Sequence, residues 1–153
     1  MTLRDALERA IAAPGAPSSD YDLNKPTDVP ERSLRDAGVL VAIVEDAAPR
    51  VILTKRSSAL KHHPGQISFP GGKVEEADAD VVEAALREAK EEIALSGVEV
   101  VGCLAPHETV TGFNVTPVLG LVRPGYSLIP DEREVAEVFD VPLGHLLSPA
   151  NYM

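Results

Sequence analysis

The chain is short of three things, and each shortage removes a class of function. It has one cysteine, Cys103, so neither an internal disulfide nor a thiolate cluster for zinc can form, and the thiol reads as a buried spectator. Bases are few: 14 Lys and Arg stand against 24 Asp and Glu, a formal net charge of −10. Long nucleic acid is normally gripped by a basic face, which this balance does not supply. A small anionic ligand remains compatible, because clustered carboxylates can hold cations that reverse the local field. Long apolar runs are also missing. Nothing approaches the roughly 18 residues that span a bilayer, and no basic-then-apolar secretory signal opens the chain, so a soluble, cytoplasmic protein with no membrane partner is expected. What is present, 153 residues of which 44% are hydrophobic and 25% charged, suits one globular domain with a core of ordinary size.

Leu3, Ala6, Leu7, Ala10 and Ile11 recur at helical spacing before Pro14 and Gly15, which predicts a short helix over Thr2 to Ala13 packed at the edge of the domain. From Pro14 to Arg35 the chain is rich in Pro, Ser and Asp and reads as an extended connection. Residues 36–153 then form the core of the domain. Val39 to Val44 and Val51 to Thr54 are β-branched runs that read as adjacent buried strands. Val98 to Leu104, Val115 to Val122 and Val135 to Val141 are further strands. Between the second and third strands lie a loop punctuated by Gly and Pro, Ser57 to Lys73, and one helical pattern from about Asp80 to Leu95.

That helix carries the chemistry. Val82, Leu86, Ala89 and Ile93 fall on one stripe that faces the core. At about 100° per residue, Glu88, Glu91 and Glu92 share a sector on roughly the opposite side. Like charges at this spacing destabilise a helix by a few tenths of a kcal/mol per pair, and a cation offsets that cost. Hard oxygen ligands, with no Cys or His in the cluster, suit Mg²⁺ or Mn²⁺ better than zinc or copper. A plain solvated face neutralised by Arg87 and Lys90 is the competing reading. Just upstream, Phe69, Pro70, Gly71, Gly72 and Lys73 make a tight turn that lets backbone approach a ligand closely. Asp78 or Asp80 is placed to cap the helix, with Asp80 and Glu83 in capping-box spacing.

The stretch GGKVEEADADVVEAALREAKEEIAL, Gly71 to Leu95, resembles the Nudix box. Arg87, Glu88, Glu91 and Glu92 occupy its Arg-Glu and Glu-Glu pairs, Ala89 its aliphatic place, and Gly72 its upstream glycine. Two departures stand out: eight residues separate Asp78 from Arg87 where the general box has seven, and Ala94 replaces the usual glycine. The extra residue is similar to that of the coenzyme A diphosphatase branch, which also carries a signature upstream of the box. Here that signature reads ILTKRSSALKHHPGQISFPGG, Ile52 to Gly72, with Lys61 in place of an Arg. The substitution keeps the charge and loses the planar fork for phosphate. The resemblance covers Ile52 to Leu95 strongly and continues more loosely through Glu134 to Met153.

The resemblance implies an α/β/α sandwich around a mixed β-sheet, and hydrolysis of CoA or a CoA derivative to 3′,5′-ADP and 4′-phosphopantetheine. It implies Mg²⁺ or Mn²⁺ held by Glu88, Glu91 and Glu92, with the Gly72 carbonyl completing the shell. Catalysis falls to Glu91, Glu92 and Arg87, the last as a positioning residue paired with Glu83 and Glu91. Lys55, Arg56 and Lys61, with Ser68, Phe69 and Gly71, are expected to bind the substrate. His62 and His63 share that loop and could contact phosphate. For the general base, Glu91 and Glu92 compete with Glu108 and Glu134. His107 and His145 suit packing, while Phe113 and Tyr126 are either core or a platform for adenine.

Other substrates of the family, such as ADP-ribose or dinucleoside polyphosphates, go with a Pro or Tyr beyond the box. Val110 to Phe113 occupy that region, so neither mark is present. A non-catalytic binding module on the same fold is the alternative outside enzymes. Family members usually continue past the position of Met153 into a helix that closes the second face of the sheet. That C-terminal helix is therefore expected to be missing or truncated, leaving either a homodimer that covers the face or a weakened enzyme.

Overall fold

The computed structural model describes residues 2–12, 18–19, 34–60 and 64–147. Its elements in chain order are α1 (Leu3–Ala12), β1 (Ser18–Ser19), β2 (Arg35–Val44), β3 (Arg50–Arg56), β4 (Ile67–Ser68), β5 (Gly71–Lys73), α2 (Val81–Ile93), β6 (Glu99–Cys103), β7 (His107–Glu108), β8 (Phe113–Val122), β9 (Val135–Pro142) and α3 (Leu143–Leu147). The five strands expected from β-branched runs are all present. β2, β3 and β8 extend beyond their apolar runs: β2, for one, begins at Arg35 because its polar start pairs in register with the start of β8. Most of the connection from Pro14 to Arg35 lies outside the described residues, as do Lys61, His62 and His63.

One mixed sheet forms the middle layer. β2 and β8 run parallel at its centre, paired from Arg35 with Phe113 to Val44 with Val122. A parallel pair is covered on both faces, which is why Val39 to Val44 is a continuous apolar run and does not alternate. The far edge of β2 is shared, with β5 along Ala37 to Val39 and β3 along Ile43 and Val44, both antiparallel. β9 and β4 flank β3, and β6 and β7 flank β8.

Side chains alternate between the two faces of β2. Leu40, Ala42 and Val44 join Ile52 and Val118 against Ala85, Ala89 and Ile93 of α2. Ile43, with Val51, Leu53, Leu119 and Leu121, faces the other way. There Leu3, Leu7 and Ile11 of α1 and Leu143 and Leu146 of α3 pack against it. The α/β/α sandwich is thus present, with α1 on the second face of the sheet, over its edge strand β6. Gly102 is what admits it: a Cβ at that position would stand 2.7 Å from Cδ1 of Ile11. The second face is therefore not open throughout: α1 and α3 pack over Ile43, Val51, Leu53, Leu119 and Leu121, while Val41, Phe139 and Val141 stay half-buried. Among the described residues no helix is long and apolar enough to cross a membrane.

The ends of α2 are fixed by their caps. The Asp80 side chain accepts the Glu83 N–H at 2.9 Å, while the Glu83 carboxylate accepts the Ala79 N–H at 2.8 Å. At the other end Ala94, the residue standing where the box has glycine, adopts the left-handed conformation with φ 57° and ψ 28°, and its N–H turns back to the carbonyls of Ala89 and Lys90. A Cβ in that conformation costs about 1–2 kcal/mol, partly offset by the smaller chain entropy that Ala has when unfolded. Ala94→Gly is therefore expected to raise stability by about 0.5–1 kcal/mol in urea denaturation, and an unchanged or lower midpoint would count against strain at this cap.

Candidate active site

Helix α2 sits on the sheet where two glycines let backbones meet. A Cβ on Gly38 would lie 2.1 Å from the Val81 carbonyl oxygen, so the first turn of α2 rests directly on β2. A Cβ on Gly72 would lie 2.7 Å from Cδ of Glu88, so β5 lies flat against that carboxylate. The close approach of backbone read from the Gly-Gly turn is thus an approach to the acidic helix as well.

Glu92 is 8% exposed. Its Oε2 accepts the Gly71 N–H at 3.3 Å. Burial, and then the neighbouring Glu88 carboxylate, push its pKa up to about 8, against the pull of the Gly71 hydrogen bond and the Arg56 charge. Burial also raises Glu88, opposed by its hydrogen bond with Arg87. The third member comes from a distant part of the chain. The Ile129 and Asp131 N–H groups donate to the Ile93 and Glu92 carbonyls at 2.9 and 2.7 Å, anchoring the loop before β9 to the end of α2. Ser57 N–H donates to the Glu134 carbonyl at 2.9 Å. As a result Glu88, Glu92 and Glu134 each bring a carboxylate oxygen to within 4.8 Å of the others. Three carboxylates this close repel unless protonated or bridged by a cation, and an all-oxygen donor set fits a hard divalent ion.

Glu134 was one of four acids left open as general base, and tertiary structure gathers it to the box. Glu91 takes a different place: it lies outside the three-acid cluster, more than half exposed, with Oε2 3.3 Å from Arg87 Nη1. Arg87 also departs from its expected pairing with Glu83. Its Nε and Nη2 fork onto Asp78 at 2.9 Å each, Nη1 donates to Glu88 Oε1 at 2.8 Å, and Nη2 donates to the Lys73 carbonyl at 3.2 Å. The guanidinium holds the Asp78 carboxyl below the usual carboxylate range. Arg87 thus ties the loop after β5 to α2 and aims Glu88.

The remaining expected residues split by face. Lys55 is exposed on β3 beside Ile67 of β4. Arg56, one residue on, acts electrostatically on Glu92. The Ser68 carbonyl accepts the buried Thr54 hydroxyl at 3.2 Å, and Phe69 packs into the second-face cluster. Tyr126 packs with the α2-face core and donates its hydroxyl to Asp140 Oδ2 at 3.1 Å, which gives it a structural role. Phe113 instead lines a cavity of about 740 Å³ beside Gly72, together with Ser68. The chain from Thr109 to Phe113 also lines it; the sequence marked Val110 to Phe113 only by the Pro and Tyr they lack, and left Phe113 open between core and an adenine platform.

A three-layer sandwich with an acid-bearing helix against a Gly-Gly strand is the Nudix fold. Solved structures share it: a Nudix hydrolase from M. smegmatis, RenU, at TM-score 0.61 and 22% identity over 80% of this chain and 81% of that one, and a C. elegans Ap4A hydrolase at TM-score 0.62 and 19% identity over 76% and 86%. The Nudix domain of Shewanella oneidensis NrtR, solved with ADP ribose, aligns at TM-score 0.56 and 19% identity over 84% of each chain. Residues 34–151 match the NUDIX domain family, and the chain belongs to that family. Among its relatives is the Nudix hydrolase NudL of Citrobacter koseri, 48% identical over 120 residues, which make up 77% of this chain and 62% of that protein. NudL of Enterobacter is 47% identical over the same shares.

Proposed function

We propose that the protein hydrolyses the diphosphate linkage of coenzyme A or a CoA derivative in the presence of Mg²⁺ or Mn²⁺. The observation that carries the reading is the convergence of Glu88, Glu92 and Glu134 within 4.8 Å of one another, with Glu92 buried. These acids, with the Gly72 carbonyl and with Glu91 on the same helix, would hold the cations. The bound ions would neutralise the diphosphate, lower the pKa of a water and stabilise charge on the leaving phosphate. The chain's own residues do the rest. Arg87 fixes Glu88, Gly71 fixes Glu92, and the Ile129 and Asp131 hydrogen bonds fix the loop of Glu134. Water adds across the P–O–P bridge, its oxygen to one phosphorus and a proton to the departing phosphate. The products are 3′,5′-ADP and 4′-phosphopantetheine, or its acyl form.

CoA is favoured over other diphosphates by the run from Ile52 to Gly72, whose Arg56, at the end of β3, acts on the buried Glu92. The test is incubation with CoA, ADP-ribose and diadenosine polyphosphates, with Mg²⁺, Mn²⁺ or chelator, and identification of products by mass spectrometry. Metal-dependent release of 3′,5′-ADP from CoA is expected. Turnover of a different substrate in preference to CoA would keep the chemistry and discard the CoA assignment, and no turnover at all would favour a binding module.

A further inference from the structure

The cavity beside Gly72 differs in character from the cationic end of β3, and the difference orients the substrate. Its volume, about 740 Å³, is that of a site for a drug-sized ligand and not for a phosphate alone. Ala37, Val110, Phe113 and Val115 supply much of its wall. Two hydroxyls in the wall are already engaged: Thr109 Oγ1 lies 2.9 Å from Thr111 Oγ1 and accepts the Phe113 N–H at 3.1 Å. Lys73 is the one cation among the lining residues, and the three acids stand just behind Gly72. A group bearing a phosphate finds little charge complementarity here. By alternation along β3, Lys55 projects on the same face as Val51 and Leu53, which is also the face of Ala37 and Phe113, but from across β5 and β4.

Resting on the CoA reading above, we infer that the cavity takes the uncharged pantetheine arm with its acyl extension, while the 3′-phosphate half lies toward Lys55. With the diphosphate over Gly72 and the acids, the two halves of the substrate leave in opposite directions across the sheet. Val110, 57% exposed in the wall, meets the acyl chain and sets a preference for longer acyl groups.

The experiment measures binding and turnover separately. Titration calorimetry with Mg²⁺ present compares S-acetyl- and S-octanoyl-4′-phosphopantetheine with 3′,5′-ADP. A fully buried methylene is worth about fourfold in affinity, so six of them partly covered in an open cavity should tighten octanoyl binding by about tenfold or more. Val110→Asp, at a position exposed enough for the fold to survive, should erase that gain and leave 3′,5′-ADP within about twofold of wild type. Lys55→Ala should do the reverse. Equal affinities for the two acyl fragments, or loss of 3′,5′-ADP binding in Val110→Asp comparable to that of the octanoyl fragment, would overturn the inference. The fragment pattern holding while intact CoA and octanoyl-CoA are not cleaved would sink the diphosphatase reading alone. Cleavage of both at equal kcat/KM would sink the acyl-arm assignment alone.

Discussion

Glu92→Gln is expected to lower metal-dependent turnover by about three orders of magnitude. A divalent ion contributes several kcal/mol to stabilising charge in the transition state of phosphoryl transfer, and each 1.36 kcal/mol is tenfold in rate, so loss of a principal ligand costs about 10³. Glu92 is the most buried of the three convergent acids, and its oxygen is already oriented by the Gly71 N–H. Gln keeps that hydrogen bond and the volume, which isolates the charge. Glu88→Gln and Glu134→Gln should fall by comparable factors. Glu91→Gln should lose less, because that carboxylate stands outside the cluster against Arg87. Steady-state kinetics over a Mg²⁺ titration would decide it: a Glu91→Gln loss equal to that of Glu92→Gln, with Glu134→Gln near wild type, would put the ions on the sequence motif and not on the convergent set.

The second large effect is on stability. Without metal, the protein should lose stability as pH rises from about 4.5 to about 8, and Mg²⁺ should restore it. The groups around the Glu92 carboxyl are Glu88 and Glu134, which raise its pKa, and the Gly71 N–H and Arg56, which lower it; burial outweighs all of them and the result is about 8. A carboxyl whose folded pKa lies above its unfolded one binds its proton more tightly in the native state. Its contribution is complete below the unfolded value near 4.5 and is lost as pH climbs through the folded value. At 1.36 kcal/mol per unit the loss is on the order of a few kcal/mol, and Glu88 adds in the same direction. Asp78 has the opposite sign: held low by Arg87, it stabilises above the usual carboxylate range and its contribution is lost in acid.

A ligand at 100 times its Kd adds about 2.7 kcal/mol to the native state, which is roughly 5–10 °C for a chain of this size. Melting at pH 5, 6.5 and 8, in chelator and in saturating Mg²⁺, should therefore show a Tm that falls with pH only in chelator. Glu92→Gln in chelator should flatten the fall. Parallel curves with and without Mg²⁺ would show that the acids do not hold the ion.

Local pattern carried much of this protein. The strands with β-branched runs and the helix with a period of 3.6 form where their residues place them, because each buries an apolar face that is contiguous in sequence. Asp80 caps α2 because the bond it makes reaches only three residues. What escaped local reading was set by pairs of backbones. β4 and β5 lie inside a stretch that reads as loop, since their residues, Ile67, Ser68, Gly71, Gly72 and Lys73, become strand only by pairing with β3 and β2.

The site divides along the same line. Three carboxylates on one side of a helix follow from 100° per residue, but which of them point into the fold does not. Glu92 is buried and Glu91 exposed although they are neighbours, because Gly71 and Gly72 of β5 and the loop from Ile129 to Glu134 close over one side of α2 only. Glu134 joins through hydrogen bonds between backbones far apart in the chain, which leave no periodicity to read. The position of α1 was decided in the same way: its apolar stripe specifies that it must pack, and the gap at Gly102 on the second face of the sheet specifies where. Sequence by itself determined the five β-branched strands, the helices α1 and α2 and the row of carboxylates that α2 carries, because these depend on residues within a turn or two of each other. Only the tertiary structure selected the acids that converge and the residues that wall the cavity, because those depend on which distant backbones can approach within van der Waals contact.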